Sequence, residues 1–109
     1  MASAAYMRDY RKKNPDKMKA IDLKKRFGIT LEEYNFLLDK QNGVCAICSE
    51  PEKRRDHRTK KPRALAVDHN HDTGEIRGLL CTDCNTGLGL LQDDPELLKL
   101  ALSYLEEGA

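Results

Sequence analysis

Four cysteines stand in two identical spacings, Cys45-Ala-Ile-Cys48 and Cys81-Thr-Asp-Cys84. A CxxC turn lets two sulfurs converge on one ion while backbone N–H groups face them. Two such turns complete the tetrahedral thiolate shell that a closed structural zinc site prefers. A redox dithiol needs one pair in a thioredoxin-like setting, and two disulfides need an oxidising compartment. The double spacing therefore predicts one Zn²⁺ held by Cys45, Cys48, Cys81 and Cys84. Four thiolates leave no open coordination position, so this zinc is expected to staple the chain rather than to catalyse. Residues 49–80, 32 in all, separate the pairs. That gap is longer than a zinc-ribbon turn and must enclose structure of its own.

Inside the gap lies Asp68-His69-Asn70-His71-Asp72. Every one of these side chains can ligate a metal or carry a proton. Taken singly, each is also an ordinary turn former or a solvated histidine. Two histidines beside an aspartate, bracketed by two metal knuckles, point instead to a reactive site. Strand alternation sends Asp68 and His69 to opposite faces unless the strand end breaks the pattern. Asn85 follows the last cysteine and has two readings: a helix cap, a role Asp83 could also fill, or a hard oxygen donor that with Asp68 suits Mg²⁺. His57 stands alone in a basic loop and reads as solvated.

Short elements must position these groups. Residues 4–13 can form a helix. Asn14-Pro15 opens a second helix over residues 15–26, which Gly28 ends. Thr30-Leu-Glu-Glu33 is a capping box for a third helix that places Leu31, Tyr34 and Leu38 on one face and stops before Asn42-Gly43. A polar loop spans residues 49–63. Residues 64–69 and 75–80 read as the strands of a hairpin, with Leu65 and Val67 on one face. A helix then runs from the second knuckle to about Leu91. Asp94-Pro95-Glu96 opens a final helix whose stripe of Leu97, Ala101, Tyr104 and Leu105 is expected to be core.

The fold class is thus a small α+β domain. The chain of 109 residues buries little, with 39% hydrophobic and 34% charged residues and no Trp, and small domains lean on a metal or on disulfides. No apolar run can span a membrane and no h-region marks a secretory signal, so a cytoplasmic location is expected. The net charge of +1 hides blocks of +6 over residues 1–29 and +5 over residues 51–63. Such blocks suit a polyanion partner such as a nucleic acid, or are merely solvated faces; charge alone does not choose between the two. Residues 1–29 read as a basic helical arm and residues 30–109 as the zinc-stapled domain with its C-terminal helix.

The run Ala66-Val-Asp-His-Asn-His-Asp-Thr-Gly-Glu-Ile-Arg-Gly-Leu-Leu-Cys-Thr-Asp-Cys-Asn85 resembles the recombination endonuclease VII family, within the HNH or ββα-metal (His-Me finger) nucleases. Phe27-Gly-Ile-Thr-Leu-Glu-Glu-Tyr34 and Gln41-Asn-Gly-Val-Cys-Ala-Ile-Cys48 carry the resemblance upstream. It implies a ββα-metal core stapled by zinc and an endonuclease that hydrolyses DNA phosphodiesters, nicking them and acting on branched DNA. Asp68 and Asn85 would hold one catalytic Mg²⁺ or Mn²⁺, His69 would be the general base, and His71 would assist at the phosphate. Leu88 departs from relatives that carry an acidic residue three positions after the helix Asn, and only about one helix follows the core. A monomer or a homodimer fits that length. The competing reading is a non-catalytic zinc module that binds nucleic acid. A zinc-stapled protein-interaction domain, with the acidic C-terminal helix as its contact, is a third.

Overall fold

The computed structural model describes residues 12–108. The expected helix over residues 4–13 lies outside them except for Lys12 and Lys13, which are helical. The chain forms two compact units, one ending at Lys40 and the other beginning at Gln41.

The first unit holds α1, Pro15–Phe27, and α2, Leu31–Lys40. Pro15 starts α1 where a missing N–H costs nothing. Gly28 ends it in the left-handed region (φ 71°), donating its N–H to the Lys24 carbonyl. The capping box at α2 forms as read: Thr30 Oγ1 accepts the Glu33 N–H at 3.0 Å, and Glu33 Oε1 accepts the Thr30 N–H at 3.3 Å. Leu23, Ile29 and Tyr34 are buried, and the Lys19 ammonium lies 4.0 Å from the centre of the Tyr34 ring.

The second unit is built on an antiparallel hairpin of β1, Ala66–His69, and β2, Ile76–Leu80. Asn70 makes the connecting turn. Its Oδ1 accepts the N–H groups of Asp72 (2.8 Å) and Thr73 (3.2 Å), and Gly74 takes the positive φ. Asn70 is therefore a turn former. Helix α3, Thr82–Leu90, follows β2 and packs on β1; α4, Pro95–Gly108, closes the chain. Leu65, Val67, Leu79 and Leu80 are the buried aliphatics, joined by Cys45 and Cys81. Each aliphatic contributes about 2 kcal/mol, against roughly 10 kcal/mol or more for a structural zinc.

The final helix departs from expectation. It buries no residue, and Tyr104 (78%) and Leu105 (67%) are exposed rather than core. A helix of 14 residues is about 21 Å long, whereas the hairpin beside it is short. Only its first turn, through Pro95 and Leu98, reaches the cleft at the hairpin. Among the described residues no helix is long and apolar enough to cross a membrane.

Candidate functional site

The knuckles are positioned by two side chains that sequence reasoning did not single out. Gln41 lies along the open edge of β2. Its Nε2 donates to the carbonyls of Val44 and Leu79, both at 2.9 Å, and its Oε1 accepts the Leu79 N–H at 2.9 Å. The Ala46 N–H adds a bond to the Leu79 carbonyl at 3.1 Å. The first knuckle is thereby laid beside the strand that leads into the second. Glu52 then reaches the start of α3, accepting the Thr82 N–H at 2.7 Å. A carboxylate there meets unsatisfied N–H groups and the positive helix end.

All four sulfurs converge, each within 4.8 Å of the others, with Cys48 and Cys81 at 3.9 Å. A tetrahedral zinc with bonds of about 2.3 Å needs sulfurs about 3.8 Å apart. Backbone amides face the sulfurs as expected: Ile47 N–H to Cys45 Sγ and Cys84 N–H to Cys81 Sγ, each at 3.4 Å. Burial pushes the Cys45 thiol up, but the N–H groups of Cys48, Cys81 and Ile47 outweigh it and bring it to about 6. Burial and the neighbouring sulfurs push Cys84 up to about 12. Cys48 is also raised, although the Glu50 N–H favours its thiolate. Crowded sulfurs cannot all ionise together unless a cation joins them. The donor set and its spacing fit a zinc ion.

Cys81 also caps α3, its sulfur accepting the Cys84 N–H, so neither Asn85 nor Asp83 is the cap. Asn85 sits one turn in, with an exposed side chain that hydrogen-bonds to no described residue. Asp83 instead pairs with Arg54 at 2.9 Å.

The second cluster forms on the hairpin. Its register breaks between Asp68 and His69: Asp68 faces Gly78, but His69 faces Ile76. Arg77 is the extra residue of this bulge. It turns toward Asp68 and grips both carboxylate oxygens, Nε to Oδ2 at 2.7 Å and Nη2 to Oδ1 at 3.0 Å. Nη2 also reaches Asp93 Oδ2 at 3.1 Å, and His71 Nε2 lies 3.3 Å from that oxygen. The rings of His69 and His71 are 4.9 Å apart. The carboxylates hold the Arg77 guanidinium above its ordinary range.

Asp93 was missed in the sequence because it lies in the turn after α3, far from the histidines. Gln92 (φ 61°) and Asp93 (φ 50°) are both left-handed, and the Asp93 N–H bonds back to the Leu88 carbonyl at 2.8 Å. The sharp helix ending is what returns Asp93 to the hairpin. Asp68, Arg77 and Asp93 edge a cleft of about 310 Å³ whose other walls include Ile47, Leu80, Leu88 and Leu98. Among the described residues, only the cysteines form a preassembled group of three or more His, Cys, Asp or Glu donors. Asp68 and Asn85 carry oxygens of the kind that Mg²⁺ or Mn²⁺ takes; in the structure the Arg77 guanidinium occupies both oxygens of Asp68.

The basic loop is more ordered than its composition suggests. Arg63 N–H bonds to the Arg54 carbonyl and Asp56 N–H to the Lys61 carbonyl, both at 2.8 Å, and Arg55 bridges to Pro62. Asp56 Oδ1 accepts the Arg58 and Thr59 N–H groups at its tip. The result is a small ribbon that exposes Lys53, Arg58, Lys61 and Arg63, with exposed His57 at its end.

A family model described as Recombination endonuclease VII matches residues 20–107. The Gene 59 protein of Mycobacterium phage D29 is 43% identical over 82 residues, 74% of this chain and 46% of that protein. The Gene 59 protein of Mycobacterium phage L5 is 42% identical over 80 residues, 72% of this chain and 44% of that protein. The chain therefore spans somewhat under half the length of these curated relatives.

Proposed function

Because the chain belongs to the recombination endonuclease VII family, we propose that it is a metal-dependent DNA endonuclease of the HNH, ββα-metal type. One juxtaposition supports the chemistry: Asp68 and the paired rings of His69 and His71 share the hairpin end with Arg77 and Asp93. A structural zinc on Cys45, Cys48, Cys81 and Cys84 would join the first knuckle to the start of α3, the helix that carries Asn85.

In this reading His69 accepts a proton from water, as an imidazole can near neutral pH. The resulting hydroxide attacks phosphorus as the bond to the 3′ oxygen breaks; that oxygen takes a proton from solvent water, and the products carry 5′-phosphate and 3′-hydroxyl ends. Asp68 and Asn85 would hold one Mg²⁺ or Mn²⁺, and that ion would supply stabilisation of charge on the phosphate and the leaving oxygen. His71 and Arg77 orient the phosphate. The ribbon over residues 53–63 and the basic residues before Gly28 grip the DNA backbone without reading sequence. One such cluster cuts one strand, so a monomer nicks and a homodimer makes paired cuts. The host-cell cytoplasm is where such a nuclease would meet DNA.

Supercoiled plasmid with Mg²⁺, with and without EDTA, tests the proposal. Nicking that EDTA abolishes and that His69→Ala or Asp68→Asn removes, with zinc content intact, supports it. A gel shift without nicking would assign the chain instead to non-catalytic nucleic-acid binding.

A further inference from the structure

We propose that Arg77 is a built-in competitor for the divalent cation on Asp68, displaced when a phosphate-bearing ligand recruits its guanidinium. The inference rests on the reading of Asp68 as a cation ligand.

The bulge makes the competition possible. A regular ladder would set Arg77 opposite His69, whereas the observed register pairs His69 with Ile76 and frees Arg77 to turn toward Asp68. There it occupies both carboxylate oxygens in bidentate fashion, at 2.7 and 3.0 Å. Those are the oxygens a hard cation would use, and the guanidinium charge repels a divalent ion beside it. The Asp68 side chain is only 13% exposed while that of Arg77 is 40% exposed. The guanidinium thus covers the carboxylate and is itself open to an anion from solvent.

Asp93 makes the displacement reversible. Arg77 Nη2 already shares its bond to Asp68 with one to Asp93 at 3.1 Å. Leaving Asp68 therefore does not leave the guanidinium without a carboxylate partner. A phosphate diester oxygen accepts the same N–H groups that Asp68 now accepts. Linkage then requires reciprocity: nucleic acid raises cation affinity by the factor by which the cation raises nucleic-acid affinity.

Mn²⁺ titrated into the zinc-loaded full chain, with free Mn²⁺ read by electron paramagnetic resonance, tests this without any cleavage assay. Asp68→Asn gives the background, with and without a short DNA duplex. We expect Arg77→Gln, which keeps length and removes charge, to tighten the Asp68-dependent Mn²⁺ site about fivefold, the upper scale of one carboxylate–guanidinium contact. Arg77→Lys should fall between that variant and wild type. Duplex should tighten Mn²⁺ binding to wild type and have much less effect on Arg77→Gln. Unchanged or weaker Mn²⁺ binding by Arg77→Gln, with zinc content and Asp68 dependence intact, would overturn the competitor role. If Arg77→Gln does not fold, Arg77→Lys decides in the same assay. Mn²⁺ binding that ignores Asp68→Asn altogether would instead remove Asp68 as a ligand, and the competitor with it.

Discussion

The Gln41 side chain pairs with Leu79 as a neighbouring strand would, accepting its N–H and donating to its carbonyl, both at 2.9 Å. The same amide also holds the Val44 carbonyl. Removing it leaves part-buried backbone groups unpaired, at about 1–3 kcal/mol. Gly78 sits beneath this contact: a Cβ there would lie 3.2 Å from Gln41 Oε1. Gly78→Ala should therefore destabilise the wild type and cost much less in a Gln41→Ala background. A double-mutant cycle by urea unfolding checks this, and strictly additive effects would show that the two positions do not communicate.

Zinc binding should release protons. With the four sulfurs drawn together, backbone N–H groups bring Cys45 to about 6, while Cys84 is pushed up to about 12 and Cys48 is also raised. Zinc must expel at least the protons of Cys48 and Cys84, so its affinity climbs with pH across the neutral range. Below about pH 6 the proton on Cys45 competes as well and the loss steepens. Calorimetry in buffers of different ionisation enthalpy should return at least two protons per zinc at pH 7. Cys81→Ser or prolonged chelation should unfold the second unit, read by circular dichroism. A stable fold without zinc would contradict the stapling role.

Much of this site was legible before the fold was known, and the reasons are local. The capping box at Thr30, the proline start of α1, the Asx turn at Asn70 and the CxxC pairs are short-range chemistry, fixed within a few residues. What escaped is long-range. Gln41 reaches 38 residues along the chain to Leu79, and no periodicity marks a glutamine that stands in for a strand. Arg77 meets Asp93 across 16 residues, and only because a bulge and a left-handed helix ending turn both inward. Sequence patterning counts faces, and a bulge changes the face. The final helix shows the converse: its apolar stripe is real, but a stripe does not say that anything lies against it.

The basic ribbon should govern the salt dependence of DNA binding. Lys53, Arg58, Lys61 and Arg63 are exposed, whereas Arg54 is spent on Asp83 and Arg55 on the Lys60 carbonyl. Each residue that neutralises a phosphate adds about 0.9 to the slope of log affinity against log salt. Replacing Arg58, Lys61 and Arg63 by Gln should lower that slope by roughly 2–3 and weaken binding across sequences alike, whereas Arg54→Gln should change it much less. Fluorescence anisotropy between about 50 and 200 mM salt gives the slopes. Equal slopes for all variants would move the contact elsewhere.

The turn after α3 yields two substitutions at neighbouring positions whose effects differ. Gln92 and Asp93 both adopt positive φ, 61° and 50°. A left-handed non-glycine residue costs roughly 1–2 kcal/mol, and glycine relieves this at the expense of about 0.4–1 kcal/mol in unfolded-chain entropy. Gln92 is exposed, so Gln92→Gly should stabilise by about 0.5 kcal/mol. Asp93→Gly relieves the same strain but loses the carboxylate that holds Arg77 at 3.1 Å and faces His71 at 3.3 Å. Those partly exposed contacts are each worth about 0.5–1 kcal/mol, enough to cancel or reverse the gain. Unfolding midpoints should separate the two variants. Plasmid nicking should separate them further, with Gln92→Gly near wild type and Asp93→Gly impaired, because only Asp93 anchors the side chains proposed to orient the phosphate.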